Sequence, residues 1–336
     1  MKTKQIICEY QNYIDYAPVA PKDLYGQACS SDEITINSWR DTWQRNVKAN
    51  HDKFGSFSAN SIGSIYGTEN KKPVIIVGSG PSLKDNAQEL KIKQDITVLS
   101  CLHNFHFLED IGCPAEYYVS LDAGEVVIDE VFEGGSKTEK EYWDLTKDRT
   151  LLCYIGTSPQ LLSKWQGKVL FFNAPVPDEK YNAYIESIEV FNTFVSNGGN
   201  VLGACLYIAK AFLGASIIGF LGADFSFDYE KKFHAWDSKY DSKLGNVLRV
   251  TDIFGNSVYT WRSYHNFKGW FEYITLTVPG VYYNCSEGGT FGAYKEGNIR
   301  SVHQLPIKDF IRQMNIFEEI KEQSINSQVK EKKLLF

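Results

Sequence analysis

No C-x-x-C pair occurs among the seven cysteines, which are odd in number and scattered at Cys8, Cys29, Cys101, Cys113, Cys153, Cys205 and Cys285. That distribution excludes a disulfide framework and a spaced zinc site, and it fits a reducing compartment. An excess of basic charge is also missing. The formal net charge of −6 argues against a dedicated binder of nucleic acid or anionic membrane, which needs a strongly basic surface. No long uninterrupted apolar run is present. The longest, Val201 to Leu221, is broken by Lys210 and Gly214, so it reads as a buried helix followed by a buried strand rather than a membrane span. The opening MKTKQIICEYQNYIDY has no signal-peptide core. The chain is therefore expected to be soluble and cytoplasmic, with no nucleic-acid partner and no membrane span. There is no internal repeat, no H-E-x-x-H, no nucleophile elbow and no Gly-Lys-Ser/Thr of a Walker turn.

The 336 residues are 43% hydrophobic, enough for one large α/β domain with smaller additions. From Lys72 onward, short β-rich runs recur: PVIIVG, DITVLS, EYYVSL, TLLCYI, KVLFF and SIIGFLG. Continuous apolar runs mark strands buried on both faces, and longer segments between them can carry crossover helices. The fold class expected is α/β, a Rossmann-like, mainly parallel sheet with helices on both faces. It carries a helical N-terminal lead-in and a small C-terminal α+β extension. The expected divisions are 1–70 for the lead-in, 71–225 for a nucleotide-binding core, 226–320 for a part completing the active site, and 321–336 for a frayed tail. Trp39, Trp43 and Val47 fall on one helix face of the lead-in. Phe254-Gly255-Asn256 predicts a hairpin turn, and helices are expected near 262–276 and from about Pro306.

Three segments carry the chemistry. In VIIVGSGPSL, Gly78 and Gly80 permit a tight strand-to-helix turn that aims amides at an anion, with Ser79 and Ser82 as hydroxyl donors. A tight turn without a ligand is the alternative. In VSNGGNV, Ser196, Asn197, Gly198 and Gly199 precede a helix that Asn200 can cap; a plain capped helix explains it equally well. In FLGADFSFDYEKKFHAWD, Asp224 ends a strand and is followed by Asp228 and His234. His234 and His265 are the candidate general bases, each with an ordinary loop or helix histidine as the alternative. His103 and His106 flank Asn104 after the second strand, so at least one should face the ligand edge. Asp122 ends the third strand and can hold magnesium or a ribose hydroxyl, or simply serve in a turn.

The ordered set GSGPSL, SLD, SNGGNV, LGADFSF with a following His-Ala, T-W before WFE, and YYNCSEGGTFGAY resembles the MptE-like and motility-accessory-factor (Maf) family of bacteria, archaea and phages. The resemblance spans roughly residues 35–315. It implies similarity in fold to bacterial sialyltransferases. Two activities follow from it: transfer of a nonulosonic acid from a CMP-activated donor, and magnesium-dependent transfer of pyrophosphate from ATP to a hydroxymethyl pterin. The resemblance also implies that Gly78, Ser79, Gly80, Pro81 and Ser82 hold the nucleotide. Asn104 would lie near its base or sugar, and Ser196, Asn197, Gly198 and Gly199 would contact phosphate. Asp122 and Asp224 would hold magnesium if the metal is used. The partners expected are a nucleotide-activated donor and an acceptor, with an oligomer possible. A nucleotide- or glycan-binding module without catalysis is the reading from outside the enzymes.

Overall fold

The computed structural model describes residues 12–13, 21–68, 72–227, 234–235, 247–293 and 299–316. Asp228 and the tail at 321–336 lie outside these residues. Eight strands form one parallel sheet: β1 Val74–Val77, β2 Thr97–Cys101, β3 Tyr117–Ser120, β4 Thr150–Tyr154, β5 Lys168–Phe172 and β6 Ile217–Leu221. A hairpin of β7 Val247–Thr251 and β8 Ser257–Trp261 intervenes, and then β9 Val281–Asn284 and β10 Val302–Gln304 complete the sheet. The order across it is β10-β9-β6-β1-β2-β3-β4-β5. Every residue of β1 and β2 is buried. The apolar runs are continuous because helices cover both faces.

All six sequence-predicted strands are present. The C-terminal part also contributes to the main sheet: strands β9 and β10 add to its edge beside β6. The separate piece is the antiparallel hairpin β7–β8, to which Asn12–Tyr13 pairs in parallel. Asp252 organises its turn by accepting from the amides of Phe254 and Asn256 at 2.9 and 2.7 Å.

The lead-in is one 34-residue helix, α1 Pro21–Phe54, with Pro21 at its first position, where the missing N–H costs nothing. Two buried asparagines tie α1 to the sheet. Asn46 donates to the carbonyls of Ala123 and Gly156, and Asn50 donates to those of Ile155 and Thr157. These are the loops leaving the carboxyl ends of β3 and β4, so α1 fixes their positions. The apolar VLGACLYIAKA forms α2 Val201–Ala211, which packs across β1, β2 and β3. A third long helix, α3 Arg262–Thr277, follows the hairpin. Among the described residues, no helix is long and apolar enough to cross a membrane.

Candidate functional site

Strand order fixes where a site can form. The chain runs outward from β1 through β2 to β5, then returns to the other side of β1 as β6. At such a switch point the loops leaving two adjacent carboxyl ends normally part to open a crevice. Here they first zip together: Gly78 N–H donates to the Leu221 carbonyl at 2.8 Å, and Gly80 N–H donates to that of Gly222 at 2.9 Å. A Cβ on Gly78 would lie 2.6 Å from the Gly222 carbonyl oxygen, and one on Gly80 would lie 2.6 Å from the Asp224 carboxyl carbon. The turn thus needs glycine because a second strand end presses on it. Asp224 accepts from the Ser82 amide at 2.8 Å and from the Ser82 hydroxyl at 2.5 Å, locking the turn from behind.

Above this junction opens a cleft of about 250 Å³. Gly78, Ser79 and Gly80 form one side, while Asn200, Val201 and Leu202 bring the start of α2 to the other. Asn200 caps α2 by accepting from Gly203 N–H at 2.8 Å. The amides of Val201 and Leu202 are left without a partner among the described residues, so the positive end of the helix dipole is free for an anion. His103 and His234 face each other with ring centroids 4.5 Å apart. Asp122 and Glu130 supply carboxyl groups. Burial, and secondarily the charge of Asp122, push Glu130 up to about 8. Asp122 is exposed to solvent at the cleft, and partial desolvation by the surrounding protein raises its carboxyl above the ordinary range. Glu130 therefore keeps its proton at neutral pH.

Glu130 gives a pH test. A glutamate with its ordinary value near 4.5 loses its proton on unfolding at neutral pH, whereas Glu130 in the fold keeps it up to about 8. Between those values the folded state binds the extra proton, so stability falls as pH rises through the window. Glu130→Gln cannot ionise. It should melt close to wild type at pH 5 and several degrees higher at pH 8. Equal shifts at both pH values in a thermal melt would contradict the buried proton.

A second, larger chamber of about 550 Å³ adjoins the first and shares Asp122, Asn200, Val201 and Phe267 with it. Trp39 and Trp43 of α1 and Trp270 of α3 wall it, with Ser196, Asn197, Gly198 and Gly199 at its edge. Gly198 and Gly199 have φ of +57° and +89°, and a Cβ on them would lie 2.5 Å from the Trp270 ring and 2.8 Å from the Phe267 ring. The glycine pair lets α3 lay its aromatics against the start of α2. The pair lines the larger chamber rather than the cleft.

The structure brings together Gly78, Ser79, Gly80, Asp122, Asp224 and His234 in the cleft, while Pro81 and Ser82 sit behind it. His103 faces the cleft, whereas His106 is 1% exposed with Nδ1 3.2 Å from the Glu130 carbonyl. Two candidates are placed elsewhere. His265 is buried in α3 and lines neither space; burial and then Lys268 and Arg262 push it down to about 4. Asn104 is wholly buried and donates to the Val77 carbonyl and the Ser100 hydroxyl, both at 3.0 Å. It ties the ends of β1 and β2 beneath the cleft. The expected magnesium pair of Asp122 and Asp224 is not free either, because Asp224 commits both oxygens to Ser82. Among the described residues no group of three or more His, Cys, Asp or Glu is arranged to hold a metal ion. Sequence reasoning missed Glu130, which stands in no motif, and the tethers Asn46 and Asn50. It read Trp39 and Trp43 only as a packing face.

Comparison with known proteins places this geometry. A family model described as 6-hydroxymethylpterin diphosphokinase MptE-like matches residues 45–230, more than half of the chain. A solved structure of a MAf glycosyltransferase from Magnetospirillum magneticum AMB-1 superposes with a TM-score of 0.53 at 18% identity, covering 79% of this chain and 38% of that one. The chain thus spans little more than a third of that neighbour's length, and the likeness is one of fold. No curated protein matches.

Proposed function

The chain belongs to the MptE-like family, and from that premise we propose that it is a nucleotide-dependent transferase acting on a hydroxyl acceptor. The observation that carries this reading is the pair of adjoining spaces that meet at Asp122. The smaller one, with the Gly78–Gly80 turn and the unpaired amides of Val201 and Leu202, suits the phosphate of an activated donor. The larger one suits an acceptor.

Within transferases we favour glycosyl transfer from a CMP-activated nonulosonic acid. No Lys or Arg lines either space among the described residues. That lining suits a donor with one phosphodiester and one carboxylate charge better than a triphosphate, which carries about twice that charge and needs several cations around it. In the reaction, Asp122 takes the proton of the acceptor hydroxyl, and the acceptor oxygen bonds to the anomeric carbon. The bond from that carbon to the phosphate oxygen breaks, and its electron pair leaves with CMP. The helix amides and an imidazole, His103 or His234, stabilise the departing phosphate. The family's description as a 6-hydroxymethylpterin diphosphokinase favours a second reading, transfer of pyrophosphate to a hydroxymethyl pterin. The engagement of Asp224 with Ser82 leaves Asp122 and Glu130 as the carboxyl groups available to a magnesium ion in that case.

A thermal-shift screen against CMP, CDP, UDP, GDP, ADP and ATP, each with and without magnesium, tests the proposal. CMP should stabilise the protein without magnesium, by about 2.7 kcal/mol at a hundredfold excess over its Kd. Stabilisation by ATP only with magnesium would transfer the assignment to the pyrophosphokinase. No shift with any nucleotide would remove the donor cleft.

A further inference from the structure

The larger chamber carries more information than its place beside the donor cleft. Its lining holds no cation and a single carboxylate, Asp122, at the join, among the described residues. The walls mix two kinds of surface. Trp39, Trp43 and Trp270 present indoles from α1 and α3, and Asn197, Ser263 and Asn266 present neutral hydrogen-bonding groups from two different elements. Ser263 and Asn266 make no side-chain hydrogen bond among the described residues, and the Asn197 amide nitrogen makes none. An anionic acceptor entering this space would lose water beside Asp122 with no counter-charge to offset it. A purely apolar one would leave the neutral polar groups unpaired. A flat heterocycle would stack on an indole but hydrogen-bond only in its own plane. A pyranose ring has an apolar C–H face for an indole and hydroxyls all round its rim for groups on several walls.

We propose that this chamber binds a neutral saccharide, stacked on the indoles, and presents one of its hydroxyls to Asp122. The chamber's role as acceptor site rests on the transferase reading above; its choice of ligand does not.

The test uses the full chain. Intrinsic fluorescence reports on the chamber, since three of the seven tryptophans line it. A panel of methyl hexosides and neutral disaccharides, a sialylated trisaccharide and 6-hydroxymethylpterin is titrated, and the nucleotide thermal shift is measured separately on each variant. Neutral saccharides should change the emission saturably, while the sialylated sugar and the pterin should not. Trp39→Ala should weaken saccharide binding about tenfold, and Trp39→Phe should recover most of that loss. Both variants should keep the nucleotide shift of wild type, which shows that they are folded. Binding of the pterin without the sugars, equal binding of the anionic sugar, no binding at all, or binding indifferent to Trp39→Ala would each overturn the proposal. Saccharide binding in a protein that shows no nucleotide shift would uphold the chamber's ligand and defeat the donor assignment instead.

Discussion

Asp122→Asn should lower the rate of transfer by about 10²- to 10⁴-fold, the usual worth of a positioned general base. Asparagine keeps the shape and removes the acceptor of the proton. On the proposed mechanism the loss should fall on kcat, because Asp122 would act as the acceptor hydroxyl becomes a nucleophile and not when either substrate docks. Nucleotide affinity should hold or rise slightly, since a carboxylate near a bound phosphate gives way to a neutral amide. The position of Asp122 makes the effect specific: it lines both the donor cleft and the larger chamber. His234 lines only the donor cleft, so His234→Ala should cost less. Steady-state kinetics of the two variants decide the matter. A fully active Asp122→Asn beside an inactive His234→Ala would move the base to the imidazole.

The second large effect is expected from a substitution far milder on paper. Gly203→Ala should abolish the nucleotide-induced thermal shift and cost about 2 kcal/mol of stability. Alanine at an ordinary helix position is favoured over glycine by about 1 kcal/mol, so propensity alone predicts a gain. The geometry reverses the sign. A Cβ on Gly203 would lie 1.8 Å from the Asn197 carbonyl oxygen and 2.6 Å from its carbon. That contact is with backbone, and no rotamer relieves it, so α2 and the loop before it must separate. The separation pulls Asn200 off the helix start and spoils both spaces at their join. Melting and nucleotide titration of the variant check this; a melting temperature at or above wild type with the nucleotide shift intact would refute it.

The sheet was legible because a parallel strand covered on both faces must be apolar at every position, and six such runs became β1 to β6. Strand β10 escaped notice, being three residues long with one of them exposed. The site was legible only as far as local sequence determines it. GSG and Asp224 announced themselves at strand ends. The residues that misled were those whose partners are remote in the chain. Asn104 looked like a ligand group because an amide that ties Val77 to Ser100 has the same chemistry as one that meets a nucleotide. The helix of His265 was expected, but which side faces the cleft depends on packing. The glycine pair at 198–199 read as a phosphate turn, whereas its conformation answers to Trp270 and Phe267, some seventy positions later. Glu130 has no motif, because what distinguishes it is its surroundings.

The zipping of the Gly78 turn to the end of β6 bears on how the protein is made. Val74 lies beside Ile218 in the sheet, so the central strand of the fold waits for a neighbour well over a hundred residues downstream. Contacts of such separation form slowly, and on a ribosome they cannot form until the later strand has emerged. Until then β1 is an apolar edge with one side unpaired and its turn unsupported, since Leu221 and Gly222 supply the carbonyls that hold it. The cleft therefore arrives late in synthesis and all at once. A chain truncated before residue 217 would keep the motif and most of the strands, yet lack a cleft in which to use them.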